Sequence, residues 1–140
     1  MSPFADFLHG LRMRHGIRQI ELAEIMGYEQ TYISSLELDK KGPPTEEFLN
    51  KLIKQFQLSP SEQDLLLKAA DASQRKTIID TDVHQDVYWM MHDLRQRLPE
   101  LTTVQIQLIR IALGLKESLN EFPKEAVRQL KRRRKEETPM

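Results

Sequence analysis

The sequence predicts an all-α protein, and three observations point to that class. Apolar residues recur at intervals of three and four along most of the 140-residue chain, which is the spacing of one face of a helix. Most glycines and prolines fall between these stretches, where they end helices. No segment of useful length alternates polar and apolar residues as a half-buried strand does. We therefore expect helices joined by short turns.

Five short helices are predicted in the first half of the chain. They cover about residues 3–14, 18–26, 29–37 and 45–57, and a fifth runs from Pro60 or Ser61 to Ala72. Gly27 stops the second helix, and Pro43 and Pro44 break the chain after the third because they lack amide donors. Thr45 and Ser59 have side chains that suit helix caps, so each is expected just before the helix that follows it or at its first residue.

The second half is predicted to hold two longer helices and a terminal one at 124–135. The first keeps helical spacing from Val83 to Leu98 and stops at Pro99. The next opens at Thr102 or Thr103 and is apolar on two faces, which carry Val104, Leu108, Ile111, Leu115 and Leu119 on one side and Ile106, Ile109 and Leu113 on the other. Such a helix must be buried on more than one side. We expect it to pack against the first half or against a second copy of the chain.

These patterns divide the chain into a domain at residues 1–72, a linker at 73–82 and a helical region at 83–140. The whole chain has 21 basic and 21 acidic residues and therefore no net charge. Residues 1–72 hold eight basic and eleven acidic residues, a net charge of −3, and the remainder carries +3. This balance argues against avid, non-specific coating of DNA but leaves room for a few placed cations.

Composition and missing motifs exclude several classes of protein. The chain has no cysteine, which removes disulfides, zinc–thiolate sites and cysteine nucleophiles. Glycine-rich phosphate loops, zinc-protease motifs and nucleophile elbows are not found, so we expect no enzyme, no metal and no cofactor. No stretch is long and apolar enough for a signal peptide or a membrane span, and together with the lack of cysteine this favours a cytoplasmic protein.

Two short helices joined at Gly27 have the spacing of a helix-turn-helix unit. The segment from Gln19 to Glu37 resembles the phage-repressor-like (XRE) family of DNA-binding domains. The positions that carry the resemblance are Gln19, Leu22, Ala23, Gly27, Ile33, Leu36, Glu37 and Pro43. The similarity covers about residues 4–70 and implies a five-helix, repressor-like domain whose third helix enters the major groove of DNA.

The resemblance implies two sets of DNA contacts. Base contacts are expected from the outward face of the third helix, chiefly from Gln30, Thr31 and Ser35, with Ser34 and Glu29 as further candidates. Phosphate contacts are expected from Gln19, Arg18, Lys40, Lys41 and Arg14, and Arg12 is a further candidate. A glutamine can pair bidentately with adenine, and a threonine methyl can touch the methyl group of thymine.

The sequence departs from the family pattern at three places. Arg18 and Glu29 stand where small capping residues are usual, and Leu38-Asp39 replaces a basic residue followed by glycine. Aspartate tolerates the left-handed backbone conformation that a glycine would take there.

Four other features each have a functional and a structural interpretation. Tyr32 is expected to pack near the core rather than on DNA. His84 and His92, with Asp82, Asp86 and Asp93 nearby, favour a solvated helix face over a metal site, because the two histidines lie more than two turns apart. The stretch from Tyr88 to Met91 favours core or dimer interface over a ligand pocket. The basic run from Lys131 to Lys135 fits either a DNA-binding tail or a helix end.

The function that these features predict is a sequence-specific transcriptional regulator, a repressor, that binds a palindromic operator on double-stranded DNA as a homodimer. Dimer contacts are expected from Met90, Leu94, Val104, Leu108, Ile111 and Leu115. Two alternatives remain open. One is an antitoxin whose C-terminal helices bind a toxin, and the other is a protein-interaction module that does not bind DNA.

Overall fold

The computed structural model describes residues 1–116, and within that range it contains helices and no strand. In chain order the helices are α1 (Pro3–Arg14), α2 (Gln19–Met26), α3 (Gln30–Glu37), α4 (Glu46–Phe56), α5 (Pro60–Ala72), α6 (Gln85–Arg97) and α7 (Thr103–Leu113). A single 3-10 turn, Leu98–Glu100, follows α6. The all-α prediction is confirmed.

Helices α2, α3 and α4 each begin one residue later than predicted, because the preceding residue is a cap. Arg18, Glu29 and Thr45 have extended backbones and lie just outside the helices they precede. The Thr45 hydroxyl accepts a hydrogen bond from the Phe48 amide at 3.2 Å, and the Ser59 hydroxyl accepts one from the Glu62 amide at 3.3 Å. The predicted capping chemistry at Thr45 and Ser59 is therefore present.

The chain forms two compact units, Met1–Ile79 and a second that begins at Asp80. In the first unit α1 to α5 enclose one hydrophobic core. Its fully buried large side chains are Leu8, Leu11, Leu22, Ile33, Leu36, Phe48, Leu52 and Leu66. Ala23 is buried where α2 packs against α3, as expected of a small residue at a close helix crossing. The core therefore fixes α3 on its scaffold of four other helices.

The described part of the second unit has a different character, because neither α6 nor α7 contains a buried residue. Helix α7 begins at Thr103, one of the two predicted start positions, and the hydroxyl of its N-cap Thr102 accepts from the Gln105 amide at 3.2 Å. Within the described residues α7 runs from Thr103 to Leu113 with Gly114 as its C-cap. Leu115 and Lys116, which follow this cap, are again helical. Leu119, the terminal helix at 124–135 and the basic run from Lys131 to Lys135 lie outside the described residues.

Gly27 and Gly10 form a matched pair that tests the role of the turn between α2 and α3. Gly27 has a φ of 73°, in the left-handed region, whereas Gly10 lies inside α1. At both positions an added Cβ would meet nothing within 4 Å, so the two sites differ in backbone conformation and not in available space. Gly27→Ala should lower the free energy of unfolding by about 1–2 kcal/mol because the backbone is strained for any residue with a Cβ. Gly10→Ala should raise it by about 0.5–1 kcal/mol. Urea denaturation measures both, and equal effects would contradict this role for Gly27.

Candidate nucleic-acid interface

The turn between α2 and α3 sets the direction of α3. Gly27 lies in the left-handed conformation, and the amide of Tyr28 donates back to the Ala23 carbonyl at 3.0 Å. This is the hydrogen-bond pattern of a helix closed by a left-handed residue. The chain then needs only Tyr28 and Glu29 before α3 begins at Gln30.

Helix α3 has one buried face and one polar face. Ile33, Leu36 and Glu37 point into the core. On the opposite side Gln30 and Thr31 are exposed, Ser34 and Ser35 are half-buried, and Glu29 is exposed at the N-cap. The structure therefore brings all five predicted base-contacting side chains to the outward side or the N-terminal end of one helix.

The hydroxyl of Ser35 is partly occupied within the helix itself. It donates to the Thr31 carbonyl at 2.7 Å, one turn earlier. A serine bonded in this way still offers its oxygen lone pairs to a donor from outside. Ser35 can thus accept a hydrogen bond from a base amino group without leaving its helical partner.

A buried ion pair lies directly behind this polar face. The Arg12 guanidinium donates to both carboxylate oxygens of Glu37, at 2.8 and 3.1 Å, and also to the Ile17 carbonyl at 3.1 Å. The two side chains are only 11% and 5% exposed. The suggestion that Arg12 contacts phosphate is therefore wrong, since its charge is used inside the protein to hold α1 to the end of α3.

Glu37 also connects the interior to the polar face. Its carboxylate accepts from the Gln19 amide at 2.7 Å, and the Gln19 carbonyl oxygen accepts from the Gln30 amide at 3.1 Å. Burial by itself raises the pKa of Glu37, but the hydrogen bonds from Arg12 and Gln19 outweigh it and hold that pKa below the ordinary 4.5. A series of hydrogen bonds thus connects Arg12, Glu37, Gln19 and Gln30. It begins at a buried ion pair and ends at an exposed amide.

Gln19 therefore has a role that the sequence did not reveal. We expected its amide to bind phosphate, and the structure instead places it between Glu37 and Gln30. One amide hydrogen and one oxygen lone pair are used in these bonds, so a second amide hydrogen remains for a phosphate. The signal that could have found this role is Glu37 itself, a carboxylate in register with the buried Ile33 and Leu36.

Tyr28 and Tyr32 pack against the core beside α3. Their rings stack with centroids 5.2 Å apart, and both lie against Phe48, at 5.2 and 5.7 Å. Burial raises the pKa of Tyr32 above its ordinary value. The core position predicted for Tyr32 is present, and its ring supports Lys41, whose ammonium lies 5.9 Å from the ring centroid.

Four predicted phosphate-contacting cations lie on the surface of the first unit. Lys40 and Lys41 are exposed in the loop after α3, and their amides donate to the Ser35 carbonyl at 2.9 and 3.2 Å. Arg18 is exposed but pairs with Glu21 at 2.8 Å, and Arg14 lies 3.9 Å from Glu62. The two lysines thus have the clearest access to an anion, because each arginine already has a carboxylate neighbour.

The second unit has a groove between α6 and α7 with a volume of about 610 Å³. Its walls are mostly apolar and include Met90, Met91, Leu94, Leu101, Leu108, Ile109 and Ala112. Of the predicted dimer residues, Met90, Leu94 and Leu108 line this groove, whereas Val104, Ile111 and Leu115 do not. All of the last three are exposed.

The histidines of α6 have a structural explanation. The His84 ring nitrogen accepts from the Asp86 amide at 3.0 Å, so His84 caps the helix, and the His92 ring lies edge-on to Trp89. Over residues 1–116 no three side chains of metal-binding type come together. None of the helices described here is both long and apolar enough to cross a membrane.

Comparison with known proteins gives one family match and one structural match. A family model described as helix-turn-helix matches residues 8–63. No curated protein sequence matches the chain. A transcriptional regulator from Listeria innocua, known from its crystal structure, is 22% identical to this chain, with 85% of this chain and 96% of that chain covered and a TM-score of 0.39. The match at 8–63 spans α2, the Gly27 turn and α3, so this part of the chain is similar to the helix-turn-helix family of DNA-binding domains.

Proposed function

We propose that the protein is a sequence-specific transcriptional regulator, a repressor, which binds a palindromic operator as a homodimer. The observation that carries this proposal is the polar face of α3, where Gln30 and Thr31 are exposed on a helix held rigidly by the core. A helix presented in this way enters the major groove with its N-terminal residues nearest the base edges. Repression then follows from occupancy, because a bound dimer blocks access to the operator.

The network behind α3 supports specific rather than general binding. Gln30 is held by Gln19, so its amide is oriented before DNA arrives. A side chain that is already ordered loses less conformational freedom when it binds. Bidentate pairing of this amide with the edge of an adenine is the contact that the geometry favours.

The exposed apolar surface of the second unit supports the dimer. Helix α7 exposes six large apolar side chains at 39–73%, which are Val104, Ile106, Leu108, Ile109, Ile111 and Leu113. Contiguous apolar patches on monomers rarely exceed a few hundred Å², and a second copy would cover this surface. A two-fold dimer then places two α3 helices about 34 Å apart, or a multiple of that, on a palindromic site.

Selection from random duplex DNA with the purified full chain tests this function. We expect enrichment of a palindrome whose half-sites are one helical turn apart or a multiple of it. If no sequence is enriched at low salt, the regulator proposal is wrong, and a protein-interaction module that does not bind DNA becomes the better explanation.

Gln30 and Lys40 should contribute to binding in different ways. Gln30→Ala should lower the affinity for the enriched sequence by about 1–3 kcal/mol per half-site and relax preference at one base pair of each half-site, and Thr31→Ala should do the same at its own position. Lys40→Ala should weaken all sequences alike and reduce the salt slope by about 1.8, because the dimer loses one phosphate contact from each protomer. Titrations against matched and single-mismatch duplexes distinguish the two effects, and a sequence-selective loss in Lys40→Ala would contradict its role at phosphate.

A second candidate function is an antitoxin, in which the apolar groove between α6 and α7 binds a toxin. The specific observation in its favour is the exposure of apolar side chains on both helices. Co-purification of a small protein encoded nearby, bound in fixed ratio and released when Leu108 is replaced by glutamate, would support the antitoxin in place of the repressor.

A further inference from the structure

The chain that follows α5 returns to the loop that follows α3. The Ser73 hydroxyl accepts from the Phe4 amide at 2.9 Å and donates to the Ala69 carbonyl at 2.6 Å, which fixes the end of α5 to the start of α1. Two residues later the Arg75 guanidinium donates to the main-chain carbonyl of Asp39. Arg75 lies outside the helix-turn-helix match at 8–63, so nothing in that family match assigns it a role.

Asp39 connects Arg75 to the two exposed lysines. It directly precedes Lys40 and Lys41, and the amides of both lysines are bound to the Ser35 carbonyl of α3. Asp39 has a φ of 58°, the left-handed conformation predicted for it. The Arg75 guanidinium is therefore held against a loop whose position relative to α3 is fixed.

The charge of this loop would otherwise be unfavourable for DNA. The Asp39 carboxylate accepts from the Ser2 amide at 2.7 Å. Hydrogen bonding from Ser2, by its side chain first and by its amide second, holds the pKa of Asp39 below its ordinary 3.8. At neutral pH the carboxylate is ionised and repels phosphate beside Lys40. The N-terminal ammonium, which lies 3.9 Å from the carboxylate, and the Arg75 guanidinium both offset that charge.

We propose that Arg75 is a further phosphate-contacting residue of the DNA complex, supplied by the start of the linker. This inference rests on the proposed DNA-binding function. A guanidinium carries five N–H donors in a planar fork, and the bond to Asp39 uses one of them. The side chain is exposed, so the remaining donors can meet a phosphate bidentately while the loop contact is kept. With Lys40 and Lys41, Arg75 makes a group of three cations at one end of α3.

The salt dependence of DNA binding tests this contact. The full chain, Arg75→Ala, Arg75→Lys and Lys68→Ala are titrated with the enriched duplex and with an unrelated duplex between 50 and 200 mM salt. Each phosphate contact contributes about 0.9 to the slope of log affinity against log salt, and the proposed dimer has two copies of Arg75. Wild type should therefore lose about 12-fold more affinity over this range than Arg75→Ala. Arg75→Lys should keep the wild-type slope, because it keeps the charge. Lys68→Ala removes the same charge from the exposed side of α5 and should also leave the slope unchanged.

Each other outcome overturns the inference in a recognisable way. If Arg75→Ala binds more weakly but keeps the wild-type slope, Arg75 only positions the loop. If Lys68→Ala reduces the slope as much as Arg75→Ala, the effect belongs to total charge. If wild type binds DNA with a clear salt slope and Arg75→Ala behaves identically, this inference alone fails, whereas a wild type that does not bind DNA at all removes the proposed function as well.

Discussion

Replacing Arg12 with alanine should lower the free energy of unfolding by about 3–5 kcal/mol. The substitution removes the cation that is paired with the Glu37 carboxylate, a side chain that is only 5% exposed in the wild-type chain. Gln19 remains as a neutral donor, which does not offset a buried charge. Because small domains have only about 5–15 kcal/mol of stability, this change should be visible as a large shift of the urea midpoint.

Arg14→Ala is the matched control for this change. Arg14 is 59% exposed and lies 3.9 Å from Glu62, so the same substitution removes an ion pair that water already screens. We expect a loss of at most about 1 kcal/mol. If the two variants unfold at the same urea concentration, the buried Arg12–Glu37 pair contributes no more to the free energy of unfolding than the exposed Arg14–Glu62 pair.

The Arg12–Glu37 pair also gives stability a pH dependence that Arg12→Ala should diminish. The pKa of Glu37 is lower in the folded chain than the ordinary 4.5 of an unfolded one. The contribution of the pair is therefore fully present above about pH 4.5 and is lost as the pH falls through the lower, folded pKa. Urea midpoints between pH 3 and 7 should fall more steeply with acid for wild type than for the variant.

Leu108→Glu should convert the proposed dimer into a monomer and reduce operator affinity by roughly 100-fold to 10,000-fold. Leu108 lies in the groove between α6 and α7 and is 60% exposed. A glutamate there is tolerated by a single chain but would bury an unpaired charge in a dimer interface. The loss of affinity is large because, in a dimer, binding of the first DNA-binding domain holds the second at a high effective concentration near its half-site. A monomer lacks this effect. Sedimentation equilibrium and DNA titration measure the two consequences.

Leu65→Glu is the control, because Leu65 is also 60% exposed but lies on α5 in the first unit. This variant should keep the mass and DNA affinity of wild type. A wild-type chain that sediments as a monomer at the concentrations where it binds its operator would remove the dimer from the proposal. Equal loss of affinity in both variants would show that added negative charge, not dissociation, is responsible.

The local features of the fold could be predicted from the sequence because each depends on residues close together in the chain. The helix bounds follow from apolar spacing and from caps such as Thr45, and the left-handed conformations of Gly27 and Asp39 follow from residue type. The outward face of α3 follows from Ile33 and Leu36, which occupy the inward face.

The contacts behind that face could not be predicted in the same way. Arg12 and Glu37 are 25 residues apart, and no local sequence pattern predicts that the packing of α1 against α3 brings the Arg12 Nε within 2.8 Å of the Glu37 carboxylate. For the same reason the sequence predicts Arg12 as a surface cation and Gln19 as a phosphate contact alone. The return of Arg75 to Asp39 spans 36 residues and depends on the path of the chain after α5. Pairings of this kind are properties of the tertiary structure.

The hydrogen bond between Gln19 and Gln30 has a consequence for how the DNA preference of this protein can evolve. In the proposed complex, a substitution at Gln19 should change the freedom of Gln30 and so alter base preference from a position on a different helix. Gln19 is also bound to the carboxylate that holds α1 to α3, and few replacements satisfy both neighbours. Within residues 1–116 the Thr31 side chain has no hydrogen bond to a buried residue, and its hydroxyl donates to the exposed Glu29. New specificities should therefore arise first at Thr31, and a change at Gln30 should spread through a lineage only together with a change at Gln19.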